Sequence, residues 1–423
     1  MKSSVFSTIS LAVFLFLFLL SVSSLCNLFL RSAASITKLD PQVFPPPQND
    51  HHRTFKSVSS PLPLLSVKEE ANESYHIDDD LRNSVISPSK ITVTVTKEKK
   101  QRAAFFRRTL QGFNILPSTG LTLQFARRVR EFFDSGGGCE VQFFMTWIAP
   151  AKSFSQREFF ALESLFKAHP HGCLLILSGS MDSRHGTHIL KPLQDRGYRV
   201  VAVTPDLPYL FKNTSARAWF DEMKKGTRDP GKIPVAQNLS NLLRLAVLYK
   251  YGGVYMDTDF IVLKKLSGLR NSIGAQSINT ERGSWNRLNN AVLIFDKNHP
   301  LLLNFIDEFY LNFDGNKWGH NGPYLVSRVV ERVERNPGYC NFTVLPPVAF
   351  YPVGWNWIAG FFRQPRNPEM RRWVSAKLRQ LSGEAYGIHL WNRQTGRLRI
   401  EEGSIIGRLI SDHCVVCEHI YST

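Results

Sequence analysis

The sequence predicts an α/β fold built on a doubly wound, nucleotide-binding mixed sheet. From Cys139 onward, short apolar runs alternate with helical patterns in the order strand, helix, strand, helix, strand. That alternation is typical of parallel strands joined by crossover helices. The first run, residues 141–148, is almost continuously apolar, as expected for a strand buried on both faces. No Gly-x-Gly-x-x-Gly follows it, so a dinucleotide cofactor is not expected.

The next elements have their own signals. Residues 173–177 and 199–203 read as the second and third strands. A capping box, Ser155-x-x-Glu158, begins the helix between the first two strands. A short helix over 188–195 is expected to end at Gly197.

Thr146 and Trp147 lie near the end of the first strand. Doubly wound sheets bind ligands at the carboxyl ends of their strands, so both are candidates to line the base-binding crevice. Two plainer interpretations stay open: Trp147 packs in the core, and the Thr146 hydroxyl bonds to nearby backbone.

The 423 residues divide into five regions. We predict a cytosolic tail at 1–8, a transmembrane signal anchor at 9–30, and a stem or linker at 31–138. Two further regions, at 139–275 and 276–423, follow. The apolar run 9–30 is long enough to cross a bilayer core of about 30 Å. A cleaved signal peptide is the alternative.

The stem is rich in proline and serine and shows no sustained period, which predicts an extended, mobile linker. Within it, residues 91–96 alternate like a strand, and the basic residues 97–108 are expected to form a surface helix against the folded domain. Glycosylation sequons occur at Asn72, Asn213 and Asn341. A further sequon at Asn238 begins a predicted buried helix, so we expect it to stay unmodified.

The chain carries a formal net charge of +17. Anionic lipid, acidic polysaccharide and nucleotide phosphates are possible partners for such a charge. The basic residues are spread along the whole chain, which favours a solvated basic surface. No nucleic-acid-binding motif is present, so we expect no nucleic-acid partner.

Five of the six cysteines lie beyond the apolar N-terminal stretch. An odd number leaves at least one thiol without an internal disulfide. Cys414 and Cys417 form a single Cys-x-x-Cys, which lacks the second pair that a zinc site needs. Structural disulfides in an oxidising compartment are the favoured interpretation.

Residues 238–263 carry the strongest functional signal. A helical apolar pattern runs into Gly252-Gly253, and an apolar, strand-like stretch containing Asp257 and Asp259 follows. Residues two apart in an extended chain share one side. Two carboxylates within apolar sequence are costly unless a cation pairs with them, and a divalent metal clamped to phosphate oxygens suits that purpose. A solvated turn is the plainer alternative.

This stretch resembles the Asp-x-Asp signature of glycosyltransferase family 32, where a Ser-Asp-x-x-Arg helix precedes Tyr-Gly-Gly-x-Tyr-x-Asp-x-Asp. The matching residues are Ser240, Asn241, Arg244, Tyr251, Gly252, Gly253, Tyr255, Asp257 and Asp259. Asn241 stands where the family usually has Asp, which puts in doubt whether the donor is the usual galactose. The resemblance implies a GT-A type sheet, a nucleotide-sugar-binding region at 139–275 and an α1,4-glycosyltransferase-like acceptor region at 276–423.

Site roles follow from the resemblance. Asp259 is the main metal ligand, Asp257 holds the nucleotide ribose and touches the metal, and His389 is a third ligand. A buried structural role is the alternative for His389. Asn241, Arg244 and Tyr255 join Thr146 and Trp147 on the donor side. Manganese is the expected ion, and magnesium is the alternative. No nucleophile can be assigned; Asn289 and Asn290 lie where the family places an amide near the sugar.

The C-terminal part resembles the α1,4-galactosyl- and α1,4-N-acetylglucosaminyltransferases through several short motifs. They are Asn290-Ala291, Trp318-Gly319-His320, Gly322-Pro323, Leu345-Pro346-Pro347, Phe350-Tyr351-Pro352 and His389-Leu390-Trp391-Asn392. The acceptor-side candidates are Trp318, His320 and Trp355. An ordinary packed loop is the alternative for the aromatic segment around Trp355.

The resemblance implies a type II Golgi membrane enzyme with a lumenal catalytic domain. It would transfer a hexose or N-acetylhexosamine from a nucleotide sugar, UDP-linked, to a hydroxyl of a glycan or glycolipid, with retention and an α linkage such as α1,4. The alternative is a catalytically inactive, membrane-tethered sugar-binding or scaffold protein of the same fold. For Asp259→Asn we predict loss of transfer. We also predict apo protein at least as stable as wild type, because repulsion with Asp257 is relieved.

Overall fold

The computed structural model describes residues 88–109, 119–135, 138–279, 281, 283–335, 338, 340–418 and 420–421. The predicted tail 1–8, the span 9–30, the stem before residue 88 and the sequon at Asn72 lie outside these residues. Among the described helices, none combines the length and apolarity that crossing a bilayer requires.

Nine strands occur in the described part of the chain. They are β1 Gln142–Thr146, β2 Cys173–Leu177, β3 Arg199–Val203, β4 Gly253–Met256, β5 Phe260–Val262, β6 Ser272–Asn279, β7 Ser284–Phe295, β8 Thr343–Leu345 and β9 Gly387–His389. Seven of them form one sheet in the order β3-β2-β1-β4-β7-β6-β8, and β5 pairs with β9 in a separate two-stranded sheet.

The large sheet is mixed. Strands β3, β2, β1 and β4 run parallel, whereas β7 is antiparallel to both β4 and β6. The strand order changes direction between β1 and β4, and such a switch point is where open α/β sheets bind ligands. The predicted α/β class and mixed sheet are confirmed, and the three predicted strands correspond to β1, β2 and β3.

Fourteen α-helices are described. They are α1 Pro88–Thr109, α2 Gly120–Leu123, α3 Phe125–Asp134, α4 Gln156–Ala168, α5 Arg184–Gln194, α6 Leu207–Leu210, α7 Ala216–Lys225, α8 Val235–Tyr251, α9 Pro300–Leu311, α10 Pro323–Glu334, α11 Pro347–Phe350, α12 Pro368–Glu384, α13 Asn392–Thr395 and α14 Ile405–His413. Short 3₁₀ helices lie at Ala151–Ser153 and Ile358–Phe362.

Helices cover both faces of the sheet. Alternate β1 residues divide between two apolar cores: Phe143 and Met145 pack with α4 and α5, and Phe144 packs with α8 and α9. This division follows from the alternation of side chains along a strand. It explains why β1 carries three consecutive apolar residues, 143–145, rather than an apolar residue at every second position.

A tight glycine turn connects α8 to β4. Gly252 and Gly253 have φ values of 71° and 106°, which only glycine adopts readily. A Cβ on Gly252 would lie 2.6 Å from the Lys297 backbone nitrogen, and one on Gly253 would lie 2.5 Å from the Gln142 carbonyl oxygen. The turn therefore fixes how the end of α8 meets the strand that leads to Asp257.

Two expectations for the N-terminal side need correction. Residues 91–96, expected to alternate as a strand, belong to helix α1. The segment 31–138 is also not all linker, because Phe125, Val129 and Phe133 of α3 are buried in the core. The basic helix expected over 97–108 is confirmed. Its Arg102 binds Asp229 through two hydrogen bonds of 3.0 and 2.8 Å.

The described cysteines form two disulfides, Cys139–Cys173 and Cys414–Cys417, and Cys340 is free. The first bridge links the approach to β1 with the first residue of β2 and so joins neighbouring parallel strands. The structural-disulfide interpretation, with one thiol left over, is confirmed for these residues.

Asp182 provides a pH-dependent contribution to stability. It accepts two hydrogen bonds of 2.7 Å from Arg128 and two more from Thr204. Burial raises the pKa of Asp182, but the bonds from Arg128 and Thr204 outweigh it, so the pKa lies below its usual value. A carboxyl with a lowered folded-state pKa stabilises the fold above its unfolded pKa of about 3.9, and loses that contribution as pH falls further.

We therefore expect Asp182→Asn to lower the melting temperature at neutral pH, and the difference from wild type to shrink as pH falls below about 4. Thermal unfolding across that range measures it. Asp195→Asn is the control, because Asp195 pairs with Lys191 on an exposed helix surface. A difference from wild type that is constant with pH would contradict the assignment.

Candidate active site and metal centre

The two aspartates lie in the turn between strands of different sheets. Strand β4 ends at Met256 and β5 begins at Phe260. The Asp257 backbone N–H bonds to the Ala291 carbonyl of β7 at 2.8 Å. Phe260 is in register with His389 of β9, so the β5–β9 pair brings a histidine from the C-terminal part of the chain beside Asp259.

Asp257, Asp259 and His389 form a cluster in which one candidate ligand atom from each lies within 4.8 Å of the others. His389 Nε2 is 3.2 Å from Asp259 Oδ1. Carboxylate oxygens with one imidazole nitrogen suit hard to borderline divalent ions such as Mn²⁺ and Mg²⁺. The Asp257 side chain is 28% exposed and that of Asp259 14%, so the cluster is open to solvent at Asp257.

The electrostatics of the pair also fit a bound cation. Burial raises the pKa of Asp257, Arg244 opposes that effect, and Asp259 adds to it, so the pKa lies above its usual range. Burial acts in the same direction on Asp259, but His389 and a backbone N–H outweigh it and lower the pKa. The two carboxylates thus repel each other in a partly desolvated site, and a bound divalent ion would relieve that repulsion.

The turn after β9 wraps around Asp259. The Asn392 backbone N–H bonds to Asp259 Oδ2 at 2.8 Å, and the Trp391 backbone N–H bonds to His389 Nδ1 at 3.2 Å. Trp391 has a left-handed φ of 54°, a conformation that costs energy for a bulky residue and is common at functional sites. Burial would lower the pKa of His389, but Asp259 outweighs it and raises that pKa.

Arg244 holds Asp257 from the other side. The guanidinium is buried, with the residue 3% exposed. It lies 3.1 Å from Asp257 and donates to the Asn290 carbonyl at 2.7 Å. It also stacks on the Tyr255 ring at 4.5 Å. Burial lowers the pKa of Arg244, but Asp257 and Tyr255 outweigh it and raise the pKa. Arg244 therefore stays charged beside Asp257.

A chain of hydroxyl groups ends on the same carboxylate. The Tyr255 hydroxyl donates to Asp257 at 2.9 Å, Thr146 Oγ1 lies 2.8 Å from that hydroxyl, and Ser240 Oγ lies 2.7 Å from Thr146. These residues come from the ends of β4 and β1 and from α8. The network joins the three elements that meet at the switch point of the sheet.

Thr146 needs correction as a crevice-lining residue. It is 8% exposed and its hydroxyl is shared between Ser240 and Tyr255. The physical reason is that Tyr255 is buried and its hydroxyl needs partners. Thr146 thus supports the aspartate pair from behind.

For Tyr255→Phe we expect a loss of about 1–3 kcal/mol of stability, because Asp257 and Thr146 each lose a buried partner. Affinity for a divalent ion should fall by about 10–100-fold, as for other residues that orient a ligand. Thermal unfolding and metal titration measure the two effects. Tyr324→Phe, at a 41% exposed position, is the control. Wild-type metal affinity in Tyr255→Phe would contradict the positioning role.

Two of the three predicted amides, Asn241 and Asn290, lie on the side of the arginine. Asn290 Nδ2 donates to Asn241 Oδ1 at 3.0 Å, and both residues are buried. Among the described residues, the Asn241 amide nitrogen has no hydrogen-bond partner, so this side chain offers a donor to a ligand. Asn289 points to the other side of β7 and donates to Gln276 at 2.6 Å. The structure therefore brings Asn290, and not Asn289, to the Arg244–Asn241 side.

Two family models match the chain. The glycosyltransferase sugar-binding region containing the DXD motif matches residues 155–279, and the alpha 1,4-glycosyltransferase conserved region matches residues 294–421. Lactosylceramide 4-alpha-galactosyltransferase of Mus musculus is 33% identical over 270 residues, which are 60% of this chain and 68% of that protein. The chain belongs to this α1,4-glycosyltransferase family.

Other likenesses are more partial. An uncharacterized protein of Arabidopsis thaliana is 30% identical over 290 residues, 67% of this chain but only 43% of that protein. Among solved structures, the PaToxG glycosyltransferase covers 73% of this chain and 94% of its own at 16% identity, with a TM-score of 0.35. A TM-score this low does not establish a shared fold.

Two further site residues predicted for this glycosyltransferase are the donor-side Trp147 and the acceptor-side Trp355. The indole N–H of Trp147 bonds to the Pro150 carbonyl at 3.3 Å, and the ring packs edge-on against Phe154. Both Trp147 and Trp355 are partly exposed. In the described residues, no hydrogen bond or ring contact joins Trp147 to the aspartate cluster.

The other two acceptor-side candidates differ from each other. Arg393 lies 3.6 Å from the Trp318 ring centroid, so Trp318 packs against the residue that follows Asn392. His320 bonds instead to the Asn312 carbonyl beyond the end of α9, which gives its ring a structural role. Burial lowers the pKa of His320, which keeps the ring neutral near pH 7.

The sequons of the glycosyltransferase differ in exposure. Asn213 and Asn341 are exposed, whereas Asn238 is 3% exposed and accepts a hydrogen bond from Asn321. The expectation that Asn238 is inaccessible is confirmed. Glycosylation at Asn213 and Asn341 stays a prediction.

Sequence reasoning missed two supporting residues. Ser240 appears in the family motif, but its link to Thr146 was not foreseen. Tyr351 accepts a hydrogen bond from the Val292 N–H, and its ring packs 5.9 Å from that of His389. Helical spacing alone signals Ser240, four residues before Arg244 on one helix face. No local pattern signals Tyr351.

A second cluster, Glu163 with Cys414 and Cys417, has the residue types of a metal site. The two cysteines form a disulfide, so they offer no thiolate. Glu163 Oε1 instead accepts backbone N–H bonds from Val415, Val416 and Cys417. This carboxylate anchors the C-terminal loop.

Proposed function

We propose that this chain is a metal-dependent, retaining hexosyltransferase. It transfers a hexose or N-acetylhexosamine from a nucleotide sugar, UDP-linked, to a hydroxyl of a glycan or glycolipid. The observation that carries the proposal is the Asp257–Asp259–His389 cluster at the switch point of the sheet. A nucleotide diphosphate bound at the switch point needs its negative charge neutralised, which a divalent ion can do. Two carboxylates and one histidine are ligands that fit such an ion.

Each residue has a distinct part in this proposal. Asp259 and His389 would hold the ion, and Asp257 would contribute a carboxylate oxygen to the ion or to the nucleotide ribose. When bound, the ion neutralises charge on the leaving diphosphate. Arg244 keeps Asp257 ionised and oriented, and Asn241 directs its amide N–H₂ to the donor sugar.

The α linkage is supported by the 4-alpha-galactosyl product in the names of the matched relatives. Transfer from an α-linked nucleotide sugar to an α product is retention. The amide of Asn290, bonded to Asn241, lies on the donor side in this proposal. A same-face mechanism requires no covalent carboxylate.

We further propose a single-pass type II Golgi protein anchored through residues 9–30, with the enzyme in the lumen. Two disulfides, Cys139–Cys173 and Cys414–Cys417, support an oxidising compartment. The exposed sequons at Asn213 and Asn341 are accessible to lumenal glycosylation.

For the purified full chain we expect UDP to bind only when a divalent ion is present. Calorimetric titration with UDP, in manganese or in excess chelator, measures this. Unchanged binding in chelator would contradict the metal role. A screen of UDP-sugars for manganese-dependent hydrolysis then separates an enzyme from the alternative, an inactive sugar-binding scaffold. The scaffold would bind nucleotide without turnover, and no feature of the cluster favours it.

A further inference from the structure

The start of helix α12 exposes a cluster of arginines beside two large apolar side chains. Met370 is 42% and Trp373 41% exposed, and they lie three positions apart on one side of the helix. The flanking exposed arginines are Arg363, Arg366, Arg371 and Arg372. We name these six residues the arginine–tryptophan surface.

The four arginines have no side-chain partner within the described residues. Other exposed arginines do have one: Arg127, Arg217 and Arg335 each pair with a carboxylate four residues along their helix. Two acidic groups lie close by. Glu369 is in the first turn of α12, and Glu401 accepts the Gln364 backbone N–H at 2.7 Å. Four positive charges against two negative ones leave this surface cationic.

The apolar side chains are held in place. The Trp373 ring packs edge-on against Phe361 at 5.8 Å, and Phe361 is 6% exposed. Asn367 caps the helix through the Met370 N–H at 2.8 Å. A tryptophan that is already held rigid and half-exposed loses little conformational entropy on binding.

The surface is joined to the rim of the catalytic site through a short segment. The 3₁₀ helix Ile358–Phe362 directly precedes Arg363. Upstream of it, the Val353 carbonyl accepts the Trp391 indole N–H at 2.9 Å. A body docked at this surface would thus be close to the segment that supports the His389 turn.

We propose that the arginine–tryptophan surface docks onto an anionic lipid bilayer. Arginines are attracted by negative headgroups, and a tryptophan beside them favours the interfacial zone. A hydrated acidic glycan would satisfy the arginines but would leave Met370 and Trp373 in water. The apolar pair therefore favours a bilayer. This docking is separate from the proposed anchor and independent of which sugar is transferred.

The test uses the full chain in lipid nanodiscs that contain brominated phosphatidylcholine, with or without phosphatidylserine. Bromine quenches tryptophans that enter the bilayer, and subtracting the signal of Trp373→Phe isolates Trp373. We expect Trp373 to be quenched in the anionic discs. Arg371→Glu with Arg372→Glu should lower the equilibrium constant for docking, followed by Trp373 quenching, at least about fivefold, the contribution of a single basic residue at an anionic surface.

The control is Lys224→Glu with Lys225→Glu on α7, an exposed adjacent pair with the same change in net charge. It should leave Trp373 quenching unchanged. Absence of Trp373 quenching, or equal quenching in neutral discs, overturns the proposal. The proposal is also overturned if heparin shifts the Trp373 emission and lipid bilayers do not, because the partner would then be a soluble polyanion. Melting temperatures confirm that all variants are folded.

Discussion

Asp259→Asn is expected to reduce sugar transfer at least 100-fold, about 2.7 kcal/mol of transition-state stabilisation, while the protein stays folded. The substitution keeps the shape of the side chain and an oxygen for the Asn392 N–H. It removes the negative charge that lies 3.2 Å from His389 Nε2. A divalent ion at the cluster would then lose one of its two carboxylates.

The structure changes the stability expected of this variant. From the sequence, the apo variant was expected to be at least as stable as wild type. The pKa of Asp259 is lowered, because His389 and the backbone N–H outweigh its burial. The ionised carboxylate therefore stabilises the fold. We now expect the apo variant to lose about 1.5–3 kcal/mol, the contribution of a hydrogen bond to a charged group.

Melting curves with and without manganese and UDP measure both effects. Wild type should melt at a higher temperature with the ligands, because they bind the native state, and Asp259→Asn should show no such rise. Asp195→Asn, at an exposed ion pair, should respond like wild type. Undiminished turnover by Asp259→Asn would rule out the metal-ligand role.

Local sequence pattern was sufficient to predict the elements that neighbouring residues determine. The continuous apolar run of β1, the capping box at Ser155 and the glycine turn at Gly252 each act through neighbouring residues. The Asp257–x–Asp259 spacing marked the site for the same reason. Pairing of β5 with β9 was out of reach, because each strand has only three residues and they lie far apart in the chain.

Residues 91–96 illustrate the opposite failure. Their alternating β-branched residues match a strand, yet they form part of α1. Intrinsic preferences of this kind are weak, and tertiary context overrides them. The contact of Arg102 with Asp229, 127 positions away, is one such context. The two interpretations of Thr146 could not be separated for a similar reason, since its partners Ser240 and Tyr255 are distant in sequence.

Arg244→Met is expected to be the most destabilising of the substitutions considered, at about 3–5 kcal/mol, because it leaves a partly buried carboxylate without its cation. The side chain of Arg244 is 3% exposed, and its guanidinium contacts both Asp257 and the Asn290 carbonyl. Arg244→Lys keeps the charge but lacks the planar fork that reaches both partners. It should therefore lose less stability and still lose most activity.

A double-mutant cycle tests whether the loss comes from Asp257. In the Arg244→Met background, Asp257→Asn removes the unpaired charge and its repulsion with Asp259, so it should recover part of the lost stability. The coupling energy from denaturant unfolding of all four proteins measures this interaction. Arg128→Met is the control for a buried arginine pair elsewhere, since Arg128 binds Asp182 with two bonds. It should lose stability yet keep metal-dependent UDP binding. If Asp257→Asn restores no stability in the Arg244→Met background, Arg244 acts through packing on Tyr255 and not by compensating the aspartate pair.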